Sequence, residues 1–162
     1  MKFEIRDTFP LSPEALWAEL FDPENEARLA QLAGANREVV SQTTDGERTT
    51  RHVRIHTSHP QMAQLAKLLG GDSVSFDQHF VLDASTRSCT WRYETPAGDR
   101  VRIAGTWRIA PHADGAERVV EGDVKVSIPL VGGTLEGRIV QSIRDTFDKG
   151  TSWRKARLRQ QG

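Results

Sequence analysis

The chain has 162 residues, 22 Lys plus Arg against 22 Asp plus Glu, and 37% hydrophobic side chains. Zero net charge argues against a general polyanion binder such as a non-specific nucleic-acid protein, and the apolar fraction is too high for a disordered chain. The single cysteine, Cys89, rules out an internal disulfide, and no apolar run reaches the ~20 residues of a membrane span.

The length suits one domain, residues 1–162, with a real core. The charged opening, residues 1–6, does not read as a signal peptide, so the expectation is a cytoplasmic protein. Phe3, Ile5 and Phe9 alternate with Glu4, Arg6 and Thr8, which predicts a first strand with one buried face. Asp7 falls on the apolar side. Ser12-Pro13-Glu14 then signals a helix start: an oxygen to cap, a proline in the first turn and an acid at the positive end of the dipole. Leu16, Trp17, Leu20 and Phe21 form its buried face. Asp22-Pro23-Glu24 repeats the signal, so a second short helix runs from about Pro23 to Leu32 and stops at Gly34.

Six further strands are predicted. Residues 37–43 and 49–57 flank Asp45-Gly46, a strong hairpin signal. Residues 73–82 alternate, with Val74, Phe76, Phe80 and Leu82 on one face. Cys89, Trp91 and Tyr93 do the same, followed by Val101, Ile103, Gly105, Trp107 and Ile109, and then by Val120, Gly122, Val124, Val126 and Ile128. Strands with one apolar and one polar face imply an antiparallel sheet with one wet side. Between the third and fourth strands, Met62, Leu65, Ala66 and Leu69 take helical spacing, predicting a short amphipathic helix over 61–69. Pro129 and Gly132-Gly133 break the last strand. Beyond Thr134, a candidate N-cap, Leu135, Ile139, Ile143 and Phe147 recur every four residues, the stripe of a long helix over 135–153 with a frayed tail at 156–162.

The order of strand, two short helices, six strands and long C-terminal helix resembles the α+β helix-grip fold of the START-like superfamily, which includes the birch pollen allergens and polyketide cyclase-like proteins. Locally, residues 3–17 (FEIRDTFPLSPEALW), 21–24 (FDPE) and 124–136 (VKVSIPLVGGTLE) resemble an uncharacterised bacterial family of that superfamily. These motifs are capping and packing signals and name no chemistry. The resemblance implies a pocket between sheet and long helix for a hydrophobic or amphipathic small molecule, lipid-like or polyketide-like.

Strand parity turns Phe76, Phe80, Trp91, Tyr93, Ile103 and Trp107 inward, opposite Ile139, Ile143 and Phe147. A filled core is the plain alternative to a cavity. Gly105 and Gly122, also inward, would leave room. Met62, Leu65 and Leu69 would act as a lid. Few polar residues share the inward parity, Asp7, Arg51, Gln78 and Tyr93 among them. An unpaired buried charge costs several kcal/mol, about what is given for buried ions. Asp7 and Arg51 therefore sit in water at strand ends, pair with each other or hold a ligand head group, and Arg51 or Gln78 is the candidate for orienting a polar ligand end.

No metal or cofactor site is expected. His52 and His56 are four apart, but on a strand that separates them by about 13 Å, beyond ligands that approach zinc to ~2.0–2.1 Å. His59, His79 and His112 read as surface. Cys89 reads as a buried structural thiol, and no nucleophile elbow is present. Arg154, Lys155, Arg157 and Arg159 give the long helix a basic end, expected to be a solvated face that suits the dipole. Three functions remain: a non-catalytic carrier of a hydrophobic small molecule, a cyclase- or dehydratase-type enzyme using a titratable group such as Asp7 or Tyr93, and a protein-interaction module. No catalytic residue is assigned, and the oligomeric state is left open.

Overall fold

The computed structural model describes residues 1–57, Lys67 and residues 75–161. Apart from Lys67, the predicted helix over 61–69, with Met62, Leu65 and Leu69, lies outside the described residues, as do His59 and Val74. The elements are β1 (Lys2–Phe9), α1 (Pro13–Leu20), α2 (Pro23–Leu32), β2 (Ala35–Asp45), β3 (Arg48–Thr57), β4 (Ser75–Asp83), β5 (Ser88–Glu94), β6 (Val101–His112), β7 (Gly115–Val126) and α3 (Gly132–Gln161). A 3-10 turn at Gly98–Arg100 precedes β6.

The seven strands form one sheet in the order β1-β7-β6-β5-β4-β3-β2, with every neighbouring pair antiparallel. From β2 to β7 it is a meander, while β1 adds beside β7. β1 and β2 are therefore opposite edges, and α1 and α2 carry the chain from one edge to the other. Their start signals act as read. Ser12 Oγ accepts from the Ala15 amide at 3.1 Å, and Asp22 Oδ1 accepts from the amides of Glu24 and Asn25 at 3.0 and 3.1 Å. Gly34 takes a positive φ of 67° just past α2, and Gly46 one of 60° in the β2–β3 turn.

Three boundaries differ from the sequence reading. Residues 127–131 already lie in the turn, because Leu130 has a positive φ of 72° and α3 begins at Gly132. Thr134 thus sits inside the first turn and is not its cap. At this end the Glu136 carboxylate accepts from the Val126 amide at 2.9 Å. That bond is the largest factor holding its acid below the ordinary range. The helix also stays regular to Gln161, beyond the expected 153. Arg157 there pairs with Glu19 and lies 5.2 Å over the Trp153 ring.

The core lies between the inner face of the sheet and α3: Phe3, Ile5, Val120, Val124, Trp91, Ile103, Leu135, Ile139 and Ile143 are all buried. Two glycines shape it. Gly105 and Gly122 face each other across β6 and β7, and Gly105 faces Trp91 on β5. A Cβ at either position would overlap the Trp91 indole, and at Gly122 also the Phe3 ring. The glycines do leave room, but Trp91 lies in it, so this space is packed core. Val at Gly122 must displace rings on both sides. Overpacking of this kind costs about 1–3 kcal/mol, so Gly122→Val should lower the unfolding free energy by that amount, seen as a lower urea midpoint at unchanged slope.

Candidate functional site

Towards β2–β5 the contact between sheet and α3 opens. A cavity of about 290 Å³ lies there. Its floor is Ile55 of β3, Phe76 and Gln78 of β4, Tyr93 of β5 and Ile103 of β6. Ile139, Ser142, Ile143, Thr146 and Phe147 of α3 form one wall, and Glu26, Leu29 and Ala30 of α2 with its capping Ala33 the other, with Ala35 and Arg37 at the start of β2. The strand alternation turns Phe76 and Gln78 to the same side, and the four-residue repeat of α3 aims Ile139, Ile143 and Phe147 at them. Alanines where α2 faces the sheet leave the hollow unfilled.

Polar chemistry enters the cavity at two points. Gln78 and Tyr93 are register partners on β4 and β5. The Tyr93 ring packs 5.2 Å from Phe76 and 5.5 Å from Trp91. Burial raises its phenol above the ordinary range, with the Gln78 amide pulling weakly the other way. Tyr93 therefore stays protonated at neutral pH and can donate a hydrogen bond into an apolar space. On the opposite wall, Glu26 accepts from Arg51 Nη1 at 2.7 Å and from Arg37 Nη1 at 3.3 Å. Desolvation lowers the Arg37 guanidinium, the nearby Arg51 cation adds to that, and Glu26 opposes it.

Of the predicted site residues, Phe76, Gln78, Tyr93, Ile103, Ile139, Ile143 and Phe147 line the cavity, and Phe80, Trp91, Trp107 and Arg51 do not. Trp107 instead stacks under α1, with ring centres 5.7 Å from Trp17 and 6.0 Å from Phe21. Trp91 covers the glycine pair, and Phe80 packs against the filled core. Arg51 is neither in water nor free to hold a head group. It donates to Glu26 and, through Nε, to Gln42 at 2.8 Å, and lies 5.7 Å over Phe21. It positions the wall carboxylate and does not reach the hollow. Met62 and Leu65 lie outside the described residues.

Asp7 does not pair with Arg51 either. Its register partner is Arg118 of β7, which donates to it through Nη2 at 3.0 Å with both side chains under 10% exposed. The Arg118 guanidinium also lies 4.8 Å over Phe147 and 5.6 Å over Phe9. Arg118 shares the inward parity of Val120 and Gly122, and reading the last strand back to Gly115 would have found it.

Cys89 is buried, and desolvation pushes its thiol up to about 12, so it is inert as a nucleophile at neutral pH. On the outer face of the sheet, His52 and His79 are register partners with rings stacked 4.4 Å apart. With Asp77 they form a group of three metal-type donors within 4.8 Å of one another. Asp77 accepts from Arg54 at 3.0 and 3.4 Å and meets His52 Nε2 at 2.9 Å. Its oxygens are engaged by a guanidinium that a dication would have to displace.

An antiparallel sheet gripping a long C-terminal helix, with a hollow between them and two short helices crossing from edge to edge, is the helix-grip fold. The chain belongs to the family described as protein of unknown function DUF2505, whose pattern matches residues 4–155. Solved structures of similar fold include TTHA0849 of Thermus thermophilus, at 20% identity and a TM-score of 0.68 over 98% of this chain and 99% of that one. The Zhui aromatase/cyclase of Streptomyces sp. R1128 is similar at 15% identity and 0.67 over 100% and 98%. Ara h 8.0201 is similar at 12% identity and 0.64 over 94% and 96%. No curated protein matches the chain by sequence. Among the described residues, no helix is long and apolar enough to cross a membrane.

Removing one member of a buried ion pair leaves the other uncompensated, at a cost of about 3–5 kcal/mol. Asp7→Ala should destabilise the protein by that amount in chemical denaturation. Asp7→Ala combined with Arg118→Met should recover most of the loss.

Proposed function

We propose that the protein binds a hydrophobic or amphipathic small molecule, lipid-like or polyketide-like, in the cavity between α2, α3 and the sheet. The observation that carries this reading is the hollow itself: about 290 Å³, walled by aliphatic and aromatic side chains, with Gln78 and Tyr93 converging on its floor. Small-molecule sites have this character, an apolar lining with a few placed polar groups. Gln78 and the protonated Tyr93 phenol suit a carbonyl or hydroxyl on the ligand.

An enzyme of the cyclase type is the second reading, favoured by the neighbour named as an aromatase/cyclase and by a phenol held protonated inside the cavity. Such catalysis needs a group that accepts as well as donates a proton. The wall carboxylate, Glu26, is held by two guanidiniums, and Asp7 is committed to Arg118. Binding without chemistry is the better match.

The test uses the neutral apolar dye N-phenyl-1-naphthylamine. The wild-type protein should bind it saturably at micromolar concentration with enhanced fluorescence. Ile143→Trp should weaken binding at least tenfold by filling the cavity. Thr146→Trp, at an exposed rim position, should do the same with little effect on the melting temperature. Val39→Lys, on an exposed part of β2, should change nothing. Dye affinity unaltered by both tryptophans would overturn the reading.

A further inference from the structure

A second cavity, of about 160 Å³, lies against the first. Leu29, Ala33, Thr146 and Phe147 border both. Beyond this partition the lining changes from apolar to cationic, with Arg118 of β7 and Arg154 of α3 in the wall and Lys149 beside them. Arg154 is 5% exposed and Arg118 is 6% exposed. Only one carboxylate is paired with the two. Asp7 takes Arg118 Nη2, which also reaches Thr151 Oγ1 at 3.4 Å. The Nε atoms of both arginines are buried without an acceptor, and no ion pair to Arg154 forms among the described residues. Glu26, the negative group that Arg154 feels most, is already held by Arg51 and Arg37.

The inner layer thus carries a cation with no counterion, in a molecule whose net charge is zero. Desolvation first, and repulsion from Arg118 second, push the Arg154 guanidinium down to about 10. It stays charged at neutral pH. A buried cation left unpaired is costly, and two guanidiniums in the wall of one small cavity suit the paired oxygens of a carboxylate or phosphate. We propose that this second cavity is an oxyanion site, in which Arg154 and the free edge of Arg118 take a carboxylate or a phosphate monoester. The oxyanion is either the head of an amphipathic acid whose chain lies in the apolar cavity, or a free anion. The head-group source rests on the binding reading given above, and the free-anion source does not.

Two measurements separate these sources. Melting temperature is followed against potassium phosphate, with potassium chloride at matched ionic strength as the reference. Displacement of N-phenyl-1-naphthylamine compares decanoate with decanol. Wild-type protein should show a saturable rise in melting temperature with phosphate and at least tenfold tighter binding of decanoate than of decanol. Arg154→Met should lose both effects while melting at or above the wild-type temperature without anion, because it removes an uncompensated buried charge. Arg154→Gln serves as the second variant if the methionine packs poorly. A phosphate effect that needs Arg154, with decanoate no better than decanol, would keep the oxyanion site and overturn the head-group assignment. The same phosphate effect with no dye binding would keep the oxyanion site while the apolar-cavity reading falls. Equal responses of wild type and both Arg154 variants to phosphate and decanoate would overturn the site outright, even with the dye still bound.

Discussion

β1 pairs with β7 and β2 is left at the far edge, so the chain between them has to cross the whole width of the sheet. That crossing is made by α1 and α2, each started by its own capped proline turn. Because the crossing takes two short rods instead of one long one, each packs differently. α1 closes on Phe9, Ile109 and Ala116 with Leu16 and Leu20. α2 reaches α3 with Leu29 and sets Glu26 and Ala30 beside it in the cavity wall. The cavity exists where this second rod, α3 and the strands meet without enough volume to fill the corner.

The sheet is therefore asymmetric in how it is packed. Over β6 and β7 the backbone carries glycines, and one indole fills what they vacate. Over β3, β4 and β5 the inward residues are of ordinary size, but the opposing helix face does not descend to meet them. Interiors pack to high density where side chains can interdigitate. A void persists here because two rigid helices set the gap and the α2 side chains that line it, Glu26, Leu29 and Ala30, do not fill it. The charged layer follows the same geography. Asp7 and Arg118 sit at the β1–β7 end, Glu26 with Arg37 and Arg51 at the β2–β3 end, and Arg154 between these pairs.

Much of the architecture was legible because its signals are local and periodic. Strand parity, Asp-Gly in the hairpin and the Ser-Pro and Asp-Pro helix starts all depend on near neighbours in sequence. The part of the cavity lining on β4, β5, β6 and α3 was legible for the same reason. Parity says which face a residue takes but not how far along the sheet it meets empty space, so Phe80, Trp91 and Trp107 could not be told apart from Phe76 and Tyr93. The α2 wall was missed because its apolar spacing, Leu29 to Ala33, is short and rich in alanine. The arginines were misread through charge. Thr151 and Arg154 continue the stripe of Ile139, Ile143 and Phe147 by four and three residues. A guanidinium there looks like the solvated end of a helix until the register of β1 and β7 brings Asp7 and Arg118 beneath it.

The two anchored ends of α3 bear on which boundary of the cavity can yield. At the start, Glu136 holds the Val126 amide, and near the end Arg157 holds Glu19. Between them Thr151 touches Arg118, itself fixed to the first strand. A rod secured at three stations is a poor door. The boundary at Ala33 and Ala35 is less secured, for there a short helix hands over to a strand that, among the described residues, has a neighbour on one side alone.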